Sequence, residues 1–413
     1  MKIAGIIAEY NPFHNGHEYH IEQTKKLTNC DYVIIILSGD FTQRGIPAFI
    51  NKHKRAEMAL LSGADLVIEL PIYYSCSSAQ YFALGATHIL NSLNCIDYLS
   101  FGSECGDINT LKDIALLLTN EDAHFSQLLK ENLKSGLPYP RAFSVSFSVA
   151  YQDKPEYCNI ISSPNNLLGI EYLKSLITLN SNIEPFTITR NGADYLDDNI
   201  ETYNSSALAI RSSILTDNSL DGSKDQMPVK IHELLMSEYK KTFPISLDDY
   251  SQPLLYKLLN QKNNTFTEYL DIDISLSNKI KNNICNFTNF SSFAELLKTK
   301  EYSYARICRC LVQILLNIKK SHLRKASDSN IILPNYARIL GFNSSKTELL
   351  SIIKSNCNIP LISKLSNADK ILGGNSLQML EHDILASNIY HTACTCKYGS
   401  PAYNAYCEQI IKI

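Results

Sequence analysis

The sequence predicts an α/β fold, a parallel sheet wrapped by helices, followed by a mostly α-helical C-terminal part. Three observations predict it. Short runs in the first half are almost unbroken in apolar, β-branched residues, as strands buried on both faces are. Segments of helical period separate those runs, and strand alternating with helix means a parallel sheet with ligands beyond the strands' carboxyl ends. From about residue 225 the pattern changes to long Leu-, Ile-, Lys- and Asn-rich segments without strand-like runs.

The strands read in order as KIAGIIA (2–8), YVIIILS (32–38), DLVIEL (65–70), DYLSFG (97–102) and PFTIT (185–189). HEYHIEQTKKL, NKHKRAEMALLSG and SAQYFALGATHILNSL supply the helices between them. SLDGSKDQMP (219–228) has the Gly, Ser and Asp of a linker, which divides the chain into residues 1–220 and 221–413. Beyond it, the stretch from Phe293 to Lys325 reads as helical throughout.

A 413-residue chain with 45% hydrophobic and 19% charged residues and a net charge of −3 is globular rather than disordered. It has no apolar run near the ~20 residues that span a bilayer, and a strand starting at Lys2 leaves no room for a signal peptide, so a cytoplasmic protein without a membrane partner is expected. The 12 cysteines include no C-x-x-C, and His391, Cys394, Cys396 and Cys407 lack the paired spacing of zinc modules, so no tightly bound metal is expected. Gly63, Pro71 and Gly85 read as turn chemistry. Neither common nucleotide fingerprint, G-x-x-x-x-G-K-[ST] or G-x-G-x-x-G, is present. Charge is unevenly spread. Residues 298–325 hold eight basic residues against Glu301 alone, either a solvated helix face or a surface for phosphate backbone.

GIIAEYNPFHNGHEYHIEQTKK (5–26) carries the chemistry. A strand that runs through a short loop into a helix presents free N–H groups and the positive end of the helix dipole, an anion site before any side chain is added. His14 and His17 add donors for phosphate oxygens, and Gly16 between them lets backbone and ligand approach closely.

H-x-G-H after a first parallel strand resembles the signature of the Rossmann-like nucleotidylyltransferase superfamily, in which two histidines stabilise charge on the α-phosphate. Further segments follow in one order: LSGDFTQRG, KRAEMALLSGADLVIELP, LSFGSECGD, SSPNNLLGIEYLK, ITRNGADY and SSALAIR, then ARICRCLVQILL and ARILGFN. Together they are similar to the tRNA(Met) cytidine acetate ligase family. The resemblance implies ATP-dependent activation of acetate to acetyl-adenylate. Acetyl transfer to the exocyclic amine of the wobble cytidine of elongator tRNA(Met) follows, with ATP bound as a co-substrate together with Mg2+ and with no obligate protein partner.

The resemblance puts the ATP-binding segment on Ile7, Ala8, Glu9, Tyr10, Asn11, Pro12, Phe13, His14, Asn15, Gly16, His17, Glu18, Tyr19 and His20, with His14 and His17 catalytic. Further nucleotide contacts map to Gly102, Asn165 (Asn166 beside it) and Arg190, and a phosphate contact to Arg211. The chain departs from the family at Asp40, where Asn is more usual, and at Leu196, where a His is.

Acetate is ionised at neutral pH, so activation needs positioning and charge neutralisation but no base. The sequence assigns no base to the transfer step. A surface salt bridge is the alternative for Arg190, and Ser205 and Ser206 read as helix caps. Arg44, Lys52, Lys54 and Arg55 lie near the expected crevice, where a solvated helix start is as good a reading as an RNA or triphosphate contact, and Asp40 as a cap. For RNA, Arg306, Arg309, Lys319, Lys320, Arg324 and Lys325 would follow the backbone, while Tyr302 and Tyr304 read as core. Two alternatives share the fold: a nucleotidylyltransferase for a small phosphorylated metabolite, which needs no basic helical half, and a non-catalytic RNA-binding protein, which has little reason to keep both histidines.

Overall fold

The computed structural model describes residues 1–120, 123–137, 139–190, 206–324 and 331–413. Five parallel strands form the centre of the sheet: β1 (Ile3–Ala8), β2 (Tyr32–Ser38), β3 (Leu66–Leu70), β4 (Tyr98–Ser103) and β5 (Glu184–Thr189). Each lies within a residue of its sequence reading. The spatial order is β5-β4-β1-β2-β3, so the chain steps outward from β1 to β3 and then returns to place β4 on the other side of β1. That reversal opens a crevice at the carboxyl ends of β1 and β4, where this class of sheet takes ligands.

Alternation along β2 explains why the runs are unbroken. Ile34 and Ile36 enter the core on one face, Val33, Ile35 and Leu37 that on the other, and none of the five is exposed. Helices α1 (Asn15–Thr28), α2 (Lys52–Leu61), α3 (Ala79–Ser92) and α4 (Pro164–Thr178) cover the sheet. Three later helices also bear on the crevice or the sheet: α5 (Ala207–Asp217), α6 (Tyr304–Leu316) and α7 (Gly374–Tyr398).

The second half is helical in the main, but it also completes the sheet. β6 (Ala337–Phe342) pairs antiparallel with β3, and β7 (Leu361–Ile362) and β8 (Ile411–Lys412) pair with β6. Residue 220 is therefore no boundary in the sheet. Nor is 219–228 a solvated linker. Asp221–Gln226 forms a short 3-10 helix, and Leu220 and Met227 on either side of it are buried in the core with Ile210 and Ile231. Its small polar residues suggested solvent, but the two flanking apolar side chains anchor it.

Phe293–Lys325 is also not one helix. One helix ends at Leu297, and α6 begins only after Ser303, whose side chain caps it by accepting from the Arg306 N–H. Asn317, with φ 57°, takes the left-handed conformation that stops α6.

Charge is buried at the outer edge of the parallel strands. Lys52 Nζ meets Glu69 Oε1 at 2.5 Å, and Arg338 of β6 reaches Glu69 Oε2 at 2.9 Å from the position directly across the ladder. Lys52, Glu69 and Arg338 are all nearly inaccessible. The Asp383 carboxylate of α7 joins this region by accepting from the Ile72 N–H and the Tyr336 hydroxyl, both at 2.6 Å. A solvated start to α2 is thus incorrect for Lys52 and Arg55: both are 0% exposed, because each finds its partners across the sheet. Lys54 does face outward and pairs with Glu57 and Glu238. Asp40 caps α2 by accepting from the Lys52 N–H at 2.8 Å.

Candidate active site

The crevice holds one cleft of about 200 Å3. Its floor is the exit of β1. Arg55, buried beneath it, donates to Glu9 O at 2.7 Å and to Ser38 O and Ile50 O at 3.0 Å, so one guanidinium fixes the ends of β1 and β2 together. Tyr10 then takes a left-handed backbone, φ 49°, a conformation costing roughly 1–2 kcal/mol for a side chain of this kind. Burial of its ring against Phe13 and His17 holds it there.

His14 is the N-cap of α1. Its Nδ1 accepts the Gly16 N–H at 3.1 Å, while its own N–H donates to His17 Nδ1 at 3.2 Å. The two rings lie 3.7 Å apart. A Cβ on residue 16 would sit 2.9 Å from His14 Cε1, which explains the glycine. Because each Nδ1 accepts a main-chain proton, a neutral ring carries its own proton on Nε2. Burial, then Arg190 and Arg211, lowers the His14 pKa to about 3. Burial, with His14 next, holds His17 well below its ordinary value. The pair is therefore neutral at pH 7, with an Nε2–H left on each ring to donate to an anion. His20, lowered to about 4 chiefly by burial, lies 3.0 Å from Ser100 Oγ in a chain that continues to Thr24.

These shifts fix a sign for stability. The neutral histidines contribute stability that is fully present above the ordinary pKa of about 6.5 and lost as pH falls toward the folded values. Urea unfolding of the ligand-free protein is therefore expected to show a smaller free energy at pH 5 than at pH 7. A His14→Asn variant, which keeps a capping acceptor, is expected to show a shallower decline.

The far wall is built from β4 and α4. The Glu104 carboxylate accepts the Asn165 N–H at 3.1 Å, Asn165 Nδ2–H at 2.7 Å and the Asn166 N–H at 2.7 Å, capping the first turn of α4. Asn166 Oδ1 returns the lock, accepting the N–H groups of Glu104 and Cys105. Glu104→Ala is expected to cost about 1 kcal/mol of stability, as a lost cap does. It is also expected to free Asn165 from the cleft wall, and both effects are readable as a lower midpoint in thermal unfolding.

The lining of the cleft includes Ile7, Ala8, Glu9, Tyr10, Asn11, His14, His17 and His20 from the first segment, together with Gly102, Asn165, Arg190 and Arg211. Pro12, Phe13, Asn15, Gly16, Glu18 and Tyr19 are not among the lining residues. Phe13 is wholly core, and Asn15 Nδ2 donates to Asp225 O in the 3-10 segment. Arg211, on α5, donates to Asn11 O. Ser206 caps α5 by accepting the Ala209 N–H at 3.0 Å, whereas Ser205 and Leu196 fall outside the described residues.

Of the loop after β2, sequence reasoning placed Arg44 near the crevice, where it does line the cleft, but passed over Thr42, Gln43 and Ile46 beside it, and the apolar wall of Phe82, Phe101, Leu168 and Tyr172. It passed over Glu104 as well, although SSPNN beginning a helix asks what satisfies its first N–H groups. The basic residues of the second half mostly have partners within the protein. Arg306 contacts Asp271 O, Asp273 and the Tyr302 ring, and Arg309 donates to Gln43 O. Lys319 pairs with Glu268, Lys320 donates to Thr267 O and Ile272 O, Arg324 contacts Tyr81, and Lys325 lies outside the described residues.

Of the two tyrosines read as core, Tyr304 is only half-buried, and of His391, Cys394, Cys396 and Cys407 only Cys394 is buried, His391 being half-buried and Cys396 and Cys407 exposed. Tyr302 is buried, and its hydroxyl donates to Asp273. At the other end of the chain His391 stacks on Tyr403 at 3.6 Å, and Cys394 lies 3.2 Å from Thr242 O. No helix among the described residues is long and apolar enough to cross a membrane.

A profile of the HIGH Nucleotidyl Transferase family matches residues 1–402. The chain is 44% identical over 400 residues to a tRNA(Met) cytidine acetate ligase of Clostridium perfringens, covering 94% of this chain and 95% of that one. It is 40% identical over 408 residues to that of Acetivibrio thermocellus, covering 98% and 97%. In structure it is similar to Thermotoga maritima TmcAL, with a TM-score of 0.93, 29% identity and full coverage of both chains. The same enzyme bound with alpha-thio ATP gives a TM-score of 0.90 at the same identity and coverage. The chain belongs to the HIGH nucleotidyl transferase family and, within it, to the tRNA(Met) cytidine acetate ligases.

Proposed function

We propose that this protein activates acetate with ATP and transfers the acetyl group to the exocyclic amine of the wobble cytidine of elongator tRNA(Met), forming N4-acetylcytidine. The observation that carries the reading is the neutral His14–His17 pair at the start of α1, with Arg44, Arg190 and Arg211 lining the same cleft. Of the segment Ile7–His20, the cleft-lining Ile7, Ala8, Tyr10, Asn11, His14, His17 and His20 are the proposed ATP contacts, with Gly102, Asn165 and Arg190, and Arg211 faces the phosphates.

Acetate arrives as its anion and attacks the α-phosphorus, and pyrophosphate leaves. Charge grows on the phosphate oxygens in that step. The Nε2–H groups of His14 and His17 and the guanidinium groups lower its cost by electrostatic stabilisation, without a proton transfer. Neutral imidazoles keep their N–H groups as fixed donors throughout.

Among the described residues the cleft builds no protein site for Mg2+: Glu9 is the single carboxylate of the described lining, and one of its oxygens is committed to the Gln43 N–H. A divalent cation prefers several oxygen ligands, so it would reach the cleft on the triphosphate.

Residues 1–220 hold the ATP and acetate chemistry, and residues 221–413 hold the RNA. Arg306, Arg309, Lys319, Lys320, Arg324 and Lys325 are the proposed backbone contacts, their ion pairs with Asp273 and Glu268 being exchanged for phosphate. The test is nucleoside mass spectrometry of elongator tRNA(Met) incubated with the protein, ATP and isotopically labelled acetate. Labelled N4-acetylcytidine at the wobble position is the expected result. Unmodified tRNA, with pyrophosphate released only when a phosphorylated metabolite is supplied, would overturn the proposal.

A further inference from the structure

A site for a polyanion gains nothing from a carboxylate, yet Glu9 lines this one together with Arg44 and Arg211. Part of the reason is local. Glu9 Oε1 accepts the Gln43 N–H at 2.7 Å and ties the loop after β2 to the end of β1. That uses one oxygen, and among the described residues Oε2 accepts no hydrogen bond from the protein. Burial raises the carboxyl above its ordinary range, and the Gln43 N–H and the nearby Arg55, Arg211 and Arg44 pull the other way.

The position of Glu9 in the cleft matters as much as its charge. The sheet order sets Gly102, Asn165 and Arg190 on the β4–β5 side of β1, and Thr42, Gln43, Arg44 and Ile46 on the β2 side. With the nucleotide on the first side, the second is left for the acceptor. The second side also leads to the basic helix. Arg309 of α6 donates to Gln43 O at 3.3 Å, and the α6 main chain packs so closely on Gly45 that a Cβ there would lie 2.2 Å from Arg309 N. The residue that holds Glu9 is thus one hydrogen bond from the helix proposed to meet RNA.

Resting on the acetate-ligase reading, we propose that Glu9 accepts a hydrogen bond from the cytosine N4 amine and takes its proton as the acetyl group is transferred. A carboxylate is the ordinary protein partner of cytosine N4–H. The amine needs one, because its lone pair is delocalised into the ring and is a weak nucleophile. In the transfer N4 attacks the acetyl carbonyl carbon of acetyl-adenylate and an N–C bond forms. The bond from that carbon to the phosphate oxygen breaks, and AMP leaves with the electron pair. The N4 proton passes to Glu9 Oε2 and from there to water. Atoms and charge balance without a further reactant.

Two assays on the full-length protein separate this role from a structural one. Acetate-dependent exchange of labelled pyrophosphate into ATP reports activation, and acetylcytidine formation on tRNA reports the whole reaction. Glu9→Gln keeps an acceptor for the Gln43 N–H, so the loop stays tied. Its transfer rate is expected to fall at least about 100-fold more than its exchange rate, the range for loss of a proton acceptor. Wild-type transfer is expected to rise with pH through a single ionisation that the Gln variant lacks. Equal loss of both activities would assign Glu9 to the ATP half and overturn the proposal, and so would transfer at the wild-type rate. A wild-type protein that forms no acetylcytidine would instead bring down the functional reading, and this role with it.

Discussion

His17→Ala is expected to abolish all but about 1% or less of acetate-dependent pyrophosphate exchange, while the protein still folds. Loss of a single donor to developing phosphate charge has an effect of this size, about 100- to 1,000-fold. The substitution also removes the acceptor of the His14 N–H, a cap costing about 1 kcal/mol, which a domain of this size tolerates. His17→Asn tells the two losses apart. Asparagine restores a capping acceptor but not the Nε2–H, so stability should recover and exchange should not. Exchange that returned with the cap would mean the ring acts only through the helix start.

The second large effect concerns stability alone. Glu69→Ala is expected to destabilise the protein by about 3–5 kcal/mol in urea unfolding, the range for breaking a buried ion pair from one side. Both Lys52 and Arg338 would be left charged and inaccessible. The variant Lys52→Met, Glu69→Leu, Arg338→Met combined with Asp40→Asn, which also neutralises the second carboxylate beside Lys52, removes the charges together and is expected to recover most of that loss. A single Glu69→Ala change costing under about 1 kcal/mol would show that water or a rearranged Asp40 compensates.

The parallel strands were legible because a strand buried on both faces has to be apolar at every position, whatever its neighbours. The loop from His14 to His17 was legible because its chemistry is local: cap, glycine and both imidazoles lie within four residues. Lys52 and Arg55 were not. Adjacent charges at a helix start look solvated, and only the fold brings Glu69 to the first and the carbonyls of Glu9 and Ser38 to the second. β6 was missed for a related reason. ARILGF sits in a helical context, and what makes it a strand is the free edge of β3. Of the cleft, the side nearest the signature was readable and the loop after β2 was not, since Thr42, Gln43 and Ile46 carry no chemistry that marks them in isolation.

The pairing of β3 with β6 has a consequence for how the chain is made. Residues 66–70 leave the ribosome long before residues 337–342. At about 5–20 residues per second the wait is on the order of 15–50 s, during which an apolar strand has one unpaired edge. Such edges invite pairing with other chains, and a charge set within the strand is a recognised defence. Glu69 is that charge. Until Arg338 arrives, Glu69 has Lys52 on one oxygen and nothing on the other, so burying the edge against a stranger would leave Oε2 unmet, and the group that locks the finished sheet also guards the unfinished one.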